Sequence, residues 1–542
     1  MTELKEESRK QASPSGIKKY FDIHAPVFWP SVILILTMII TTLSMGQDAE
    51  EMFTAVQSFI SDNGGWLFII SVSTFLVFSI VIAFSRLGNI RLGGADARPE
   101  FSTIAWFAML FSAGMGIGIM FWSVAEPMTH FLEPPVEVGG AEEAAQQAMS
   151  ITYLHWGFHA WGIYAIVGLS LAFFAFNRGL PLSFRSVFQP VLGDHIEGWI
   201  GDVIDILAVL ATLFGLATSL GLGVKQVSAG LHHLFTTPDT LWLQVGLIIG
   251  ITMVATVSVF LGIDKGVRVL SEANIRIAVV FLLFMIIVGP TIYIFDSFVQ
   301  NIGDYLGNLA RYSFWTEAYQ GSTWQNSWTV FYWAWWVSWS PYVGMFIARI
   351  SKGRTVREFV LGVLIAPSLI TFLWLSAFGG SAISLEMANV GNIGATALDN
   401  EAMSLFVLLE QFPWSFVTSI IAIILVMSFF VTSSDSGSLV IDGLTSGGKL
   451  EAPVGQRIFW AQTEGAVAAV LLIGGGLNAL RTASVITGLP FLFILLLMCY
   501  SLYKGLSEEQ QKKISQRKTK EQNSYKELVS DLLQKEDEHS AE

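Results

Sequence analysis

Twelve apolar stretches, each near the roughly 20 residues that a helix needs to cross a bilayer, recur along this chain. They lie near 27–45, 65–85, 103–125, 147–176, 203–223, 241–263, 275–296, 325–348, 358–380, 414–434, 458–480 and 484–503. Inside hydrocarbon the backbone must satisfy its own polar groups, so runs of this length fold as a bundle of spanning helices. Composition agrees: 53% hydrophobic residues, 13% charged residues and a mean hydropathy of +0.58 exclude a soluble domain of ordinary make-up. The runs near 203, 414 and 458 carry enough polar residues to sit inside the bundle.

Basic residues, which stay on the cytoplasmic side, are distributed very unevenly. Alternating loops from the second run onward hold Arg86, Arg91, Arg98, Arg178, Arg185, Lys265, Arg268, Arg276, Arg349, Lys352, Arg354, Arg357, Lys449 and Arg457, whereas the opposite loops hold only Lys225, Arg311 and Arg481. Lys5, Arg9, Lys10, Lys18 and Lys19 precede the first run, and eight basic residues follow from Lys504. Both termini are therefore expected in the cytoplasm. The division expected is a tail over 1–26, a membrane domain over 27–503 and a charged tail over 504–542. No cleavable leader is expected, because the first run has spanning length and follows about 26 polar residues. The net charge of −13 gives no support to nucleic-acid binding. The single cysteine, Cys499, excludes internal disulfides and cysteine metal clusters. Between the seventh and eighth runs, 301–325 reads either as an interfacial amphipathic helix or as a loop. The basic segment Lys504 to Lys526 reads either as a contact for anionic membrane lipid or as a solvated charged helix.

Four segments carry chemistry. In the third run, Gly114-Met115-Gly116-Ile117-Gly118 places glycine at alternate positions, either for close packing of Gly114 and Gly118 or to unwind the helix and free backbone groups for ions and anions. The eighth run holds Trp333, Trp335, Trp336 and Trp339 within seven residues. An interfacial belt also collects tryptophan, but Trp335 and Trp339 share a helix face, with Trp336 three residues before Trp339. A quaternary ammonium group has no N–H to donate, so aromatic faces are what can hold it, at roughly 0.5 to 2 kcal/mol each. The fourth run adds Trp156, Trp161 and Tyr164, spread over one helix face broad enough to wall a pocket. His155 and His159 beside them suit either proton coupling or hydrogen-bonded packing. In the tenth run, Ser428 to Ser436 gathers Thr432, Ser433, Ser434 and Asp435, oxygen ligands suited to a desolvated sodium ion or to interhelical hydrogen bonding.

Taken together these segments resemble the betaine/choline/carnitine transporter family. The strongest match runs from Trp335-Trp336-Val337-Ser338-Trp339-Ser340-Pro341-Tyr342 to Arg354, and the glycine segment, the Trp156 group and Thr432-Ser433-Ser434-Asp435-Ser436 match in the same order. The resemblance implies an all-α membrane protein of twelve transmembrane helices: two N-terminal helices plus two inverted five-helix repeats, a leucine-transporter-like fold. Its third and eighth helices would be broken around a midplane site. It implies that Trp156, Trp161, Tyr164, Trp335, Trp336 and Trp339 hold the cation of a small zwitterionic or cationic solute, and that Gly114, Met115, Gly116 and Gly118 receive its carboxylate. Sodium is implied as the coupling ion, bound near Ser112, Met115, Phe429, Thr432 and Ser433, because the glycine pattern of sodium-coupled members is intact. A second sodium at Thr212 and Tyr342 is less well matched, since Leu216 stands one turn after Thr212 and tyrosine replaces a common phenylalanine at Tyr342. The implied protein is no enzyme and needs no cofactor besides sodium. It would be a homotrimer in a bacterial plasma membrane, importing a compatible solute, with glycine betaine the first expectation and dimethylsulfoniopropionate, choline, carnitine or ectoine the alternatives. Sodium-independent exchange is a further alternative.

Overall fold

The computed structural model describes residues 21–46, 48–114, 116–261, 268–449 and 453–540. Lys5, Arg9, Lys10, Lys18, Lys19, Met115 and Lys265, singled out above, lie outside these residues. The helices are α1 (Ala25–Met45), α2 (Asp48–Phe84), α3 (Thr103–Gly114), α4 (Ile117–Leu132), α5 (Ala141–Trp156), α6 (Phe158–Arg178), α7 (Trp199–Phe235), α8 (Leu241–Leu261), α9 (Arg268–Val288), α10 (Thr291–Ser313), α11 (Thr329–Ile350), α12 (Val356–Leu375), α13 (Ser381–Met387), α14 (Ser415–Thr445) and α15 (Val454–Ser540). Among the described residues there is no β-strand, only an isolated bridge between Arg91 and Thr355. Nine helical segments there are long and apolar enough to cross a membrane, ten when α3 and α4 count as one bent span.

The glycine-rich third run is interrupted, as the unwinding reading expects. The two halves meet at 69°, and Gly116 is extended at φ −161° and ψ −168°. The fourth run is also interrupted. Gly157 separates α5 from α6, and a methyl group there would lie 2.5 Å from the Tyr153 carbonyl oxygen and 2.7 Å from Phe372. The single-helix face inferred for Trp156, Trp161 and Tyr164 is thereby corrected, because Trp156 ends one helix while Trp161 and Tyr164 belong to the next.

The eighth run contradicts the break implied by resemblance, since α11 is continuous. Pro341 lies inside it and has no N–H for the preceding turn. The carbonyl of Val337, left without that donor, accepts from the Ser340 hydroxyl at 2.7 Å. Between the seventh and eighth runs the amphipathic reading holds with different bounds. Gly289-Pro290 ends α9 and α10 starts at Thr291, turning Ile294, Asn301, Tyr305 and Tyr312 inward at helical spacing. The last two runs join in α15 across a non-helical point at Gly475 and Gly476. Gly476 has φ 58° and ψ −138°, a conformation that glycine alone adopts readily. Beyond the apolar part, α15 continues as an exposed helix through the charged segment, in keeping with the solvated-helix reading.

Helices α6 and α11 approach closely at paired glycines. A methyl group on Gly344 would lie 2.3 Å from Val167 Cγ1, and one on Gly168 would lie 3.3 Å from the Gly344 carbonyl oxygen. Small residues let backbones meet in this way when lipid supplies no hydrophobic drive between helices. Gly344→Val is expected to force the pair apart and lower stability by about 1–3 kcal/mol. Thermal unfolding of the solubilised protein checks this, and an unchanged melting temperature would contradict the packing described.

Candidate functional site

Trp156, Trp161, Tyr164, Trp335, Trp336 and Trp339 all line one cavity, together with Gly116, Gly118, Ile119, Ala160 and Thr371. Its empty space is about 450 Å³. Trp335 and Trp336 are stacked at 4.6 Å and 15°, and Trp156 stands edge-on to Trp336 at 5.0 Å and 72°. Tyr164 is edge-on to both Trp161 and Trp336. The backbone at Gly118 comes so close that an added methyl would lie 2.6 Å from Trp335 and 3.2 Å from Trp156. Glycine is required here by the rings themselves.

Four indole N–H groups are anchored by the protein. Trp156 donates to Glu126 at 2.7 Å, Trp335 to the Ser219 hydroxyl at 3.2 Å, Trp336 to the His155 carbonyl at 2.8 Å and Trp339 to the Gly215 carbonyl at 3.1 Å. Buried tryptophan must place its N–H. Once that is done against the protein, what these rings offer a ligand is their electron-rich faces. At one wall, α4 begins at Gly116 with no side-chain cap. The amides of its first turn are the donors that an α-helix leaves free, and they suit an anionic group.

One carboxylate organises the box from behind. Glu126 is fully buried and accepts from Trp156 Nε1, from the Tyr332 hydroxyl and from His155 Nδ1 at 2.6 Å. His155 Nε2 meets the Thr329 hydroxyl at 2.9 Å, while its backbone carbonyl holds Trp336. His130 Nε2 is 3.4 Å from the same carboxylate. His159 instead pairs with Ser313 at 2.9 Å and stacks on Trp333. The packing reading of both histidines is the one these contacts suit. Sequence reasoning missed Glu126, Tyr332 and Thr371. A carboxylate at the end of the third apolar run, with His130 one turn later, was the signal available for Glu126.

A second cavity, about 670 Å³ of empty space, shares Trp339 with the box. Ser112, Phe429, Thr432, Ser433, Tyr342 and Ser436 line it, joined by Ser271 and Asn274, which sequence reasoning did not name. Thr432 Oγ1 lies 3.2 Å from the Phe429 carbonyl oxygen and 3.4 Å from Asn274 Nδ2. Thr212 is not part of this wall; it is buried and donates to Ala208 within α7 at 2.7 Å. Leu216, one turn on, packs so tightly against Gly437 that a methyl there would lie 2.2 Å from its Cδ1. Gly114 ends α3, and Met115 lies outside the described residues.

The family model described as betaine/carnitine/choline family transporter matches residues 26–511. A glycine betaine/proline/choline/ectoine transporter of Vibrio parahaemolyticus is 48% identical over 512 residues, 92% of this chain and 90% of that protein. A glycine betaine transporter of the same organism is also 48% identical, over 91% of this chain and 95% of its own length. A glycine betaine transporter of Bacillus subtilis is 43% identical over 89% of this chain and 94% of its own length.

The Glu126 contacts generate a test. Glu126→Gln keeps the shape but turns an NH₂ group toward a cluster of donors, so at least one of Trp156, Tyr332 and His155 loses its acceptor. Hydrogen bonds to charged groups contribute about 1.5–3 kcal/mol. The variant is expected to bind a tetramethylammonium probe at least about tenfold more weakly than the unaltered protein in a tryptophan-fluorescence titration. Unchanged affinity would remove Glu126 from the organisation of the box.

Proposed function

The chain belongs to the betaine/carnitine/choline transporter family, and from that membership we propose that it is a sodium-coupled importer of glycine betaine. The observation that carries the substrate is the gathering of six aromatic side chains around one cavity with four of their N–H groups already bound elsewhere. A trimethylammonium group fits such a surface because it presents only polarised methyl groups. Its carboxylate meets the uncapped start of α4 at Gly116 and Gly118, and the resemblance adds Gly114 and Met115 to the residues that receive it. The names of the relatives, glycine betaine transporters among them, support the same substrate.

Sodium occupies the neighbouring cavity near Ser112, Met115, Phe429, Thr432 and Ser433. Bound there, it orders the α3–α4 break and so favours the conformation that receives the carboxylate. One sodium per cycle is the reading we favour, since Leu216, one turn after Thr212, offers no oxygen and fills the space beside Gly437. Tyr342 then lines the route of the first ion.

The twelve-helix architecture of two helices plus two inverted five-helix repeats is proposed with the function. Added to the ten spans, α11 has 22 residues but a hydropathy lowered by its tryptophans and tyrosines, and α15 divides at Gly475 and Gly476. The domain limits 1–26, 27–503 and 504–542, cytoplasmic termini, a bacterial plasma membrane location and a homotrimer belong to the same proposal. The basic excess on one side supports the orientation.

Purified protein in proteoliposomes is expected to accumulate labelled glycine betaine only with an inward sodium gradient. Equal uptake without sodium, requiring internal solute, would establish exchange instead. Stronger competition by dimethylsulfoniopropionate, choline, carnitine or ectoine would replace the substrate while keeping the carrier. Thr432→Ala with Ser433→Ala is expected to raise the sodium concentration for half-activation about tenfold or more, as loss of two oxygen ligands requires. Unaltered sodium dependence would place the ion elsewhere.

A further inference from the structure

Arg481, on α15, borders neither the box nor the cation cavity. Its guanidinium carbon lies 5.1 Å from the centroid of Trp122 and 5.3 Å from that of Phe331, and its Nη2 donates to Glu401 at 3.0 Å. The two rings are 0% and 1% exposed, whereas the side chains of Arg481 and Glu401 keep 18% and 27% of theirs. The guanidinium thus forms part of the cover over the rings. A cation seated on two aromatic faces beside a carboxylate is the arrangement an onium headgroup would make.

The rings lead somewhere. Phe331 stacks on Trp335 at 5.6 Å and 15°, and Trp335 stacks on Trp336 at 4.6 Å and 15°. A column of stacked, buried rings therefore joins the Arg481 contact to the wall of the box. A second observation points to a ligand with an anionic pole: the indole N–H of buried Trp122 and the Nε–H of Arg481 have no acceptor among the described residues. Buried donors are normally paired, and a carboxylate would supply the missing acceptor.

We propose that Trp122, Phe331, Glu401 and Arg481 form an outer reception site for zwitterionic onium solutes, with the Arg481 guanidinium holding the place of the solute's cation until the solute arrives. The solute's carboxylate takes Arg481 from Glu401, its methylated cation replaces the guanidinium on the rings, and Glu401 stays as counter-charge. This inference rests on the reading of the box as an onium site.

Equilibrium dialysis of labelled tetramethylammonium against the full-length protein in nanodiscs separates the two. The wild type is expected to bind one molecule per chain, in the box. Arg481→Gln uncovers the outer rings while leaving Glu401 charged, and is expected to bind two; Arg481→Gln with Trp122→Leu is expected to return to one. If Arg481→Gln does not fold, Arg481→Lys, whose compact ammonium cannot cover both rings, is expected to bind the second molecule at higher concentration. One molecule per chain in every folded variant of Arg481 overturns the outer site and leaves the box standing. No binding by the wild type overturns the box reading itself.

Discussion

The structure turns on a buried carboxylate with no lysine or arginine paired with it among the described residues. Glu126 sits in the apolar interior, and a bare charge there is expensive. It is held by a convergence of donors: the Trp156 indole, the Tyr332 hydroxyl and the His155 ring. Each bond that satisfies Glu126 also fixes an aromatic side chain, and through the His155 carbonyl the constraint reaches Trp336. The requirement to pair one charge and the requirement to hold a ring box open are met by the same contacts. A box arranged in this way needs little reordering when a cation arrives, which is how preorganisation contributes to affinity.

Two helix breaks do complementary work beside that box. The 69° bend between α3 and α4 leaves amide donors at Gly116, and the interruption at Gly157 lets Trp156 meet Glu126 while Trp161 and Tyr164 follow on another helix. Continuous α11 supplies the stacked pair Trp335 and Trp336 as a rigid wall. Trp339, further along α11, lines both the box and the second cavity. This shared wall is a direct physical route by which occupancy of one space can be felt in the other.

Much of this was legible in the sequence because its causes are local. Runs of spanning length announce helices, alternate glycines announce a weakened helix, and clustered tryptophans announce ring faces. Patterns of this kind singled out the two aromatic groups and the hydroxyl run, while the family resemblance joined the six aromatics in one site and implied a cation role for Thr432 and Ser433. What was hidden depends on contacts between distant segments. Glu126 joins Trp156 and Tyr332 only once three helices pack, and the carbonyl of Val337 is satisfied by Ser340, so α11 need not break at Pro341. Nor could spacing reveal that Gly157 divides the fourth run, since a single glycine inside an apolar stretch more often stays helical.

The central claim is that an onium cation sits among these six rings. Arsenobetaine has the shape and charge of glycine betaine with arsenic in place of nitrogen, so its cationic centre can be located by anomalous scattering in crystals of the complex. The account predicts an arsenic peak enclosed by Trp156, Trp161, Tyr164, Trp335, Trp336 and Trp339. Saturated crystals with no peak inside that cavity, or with arsenic only elsewhere in the protein, would contradict it.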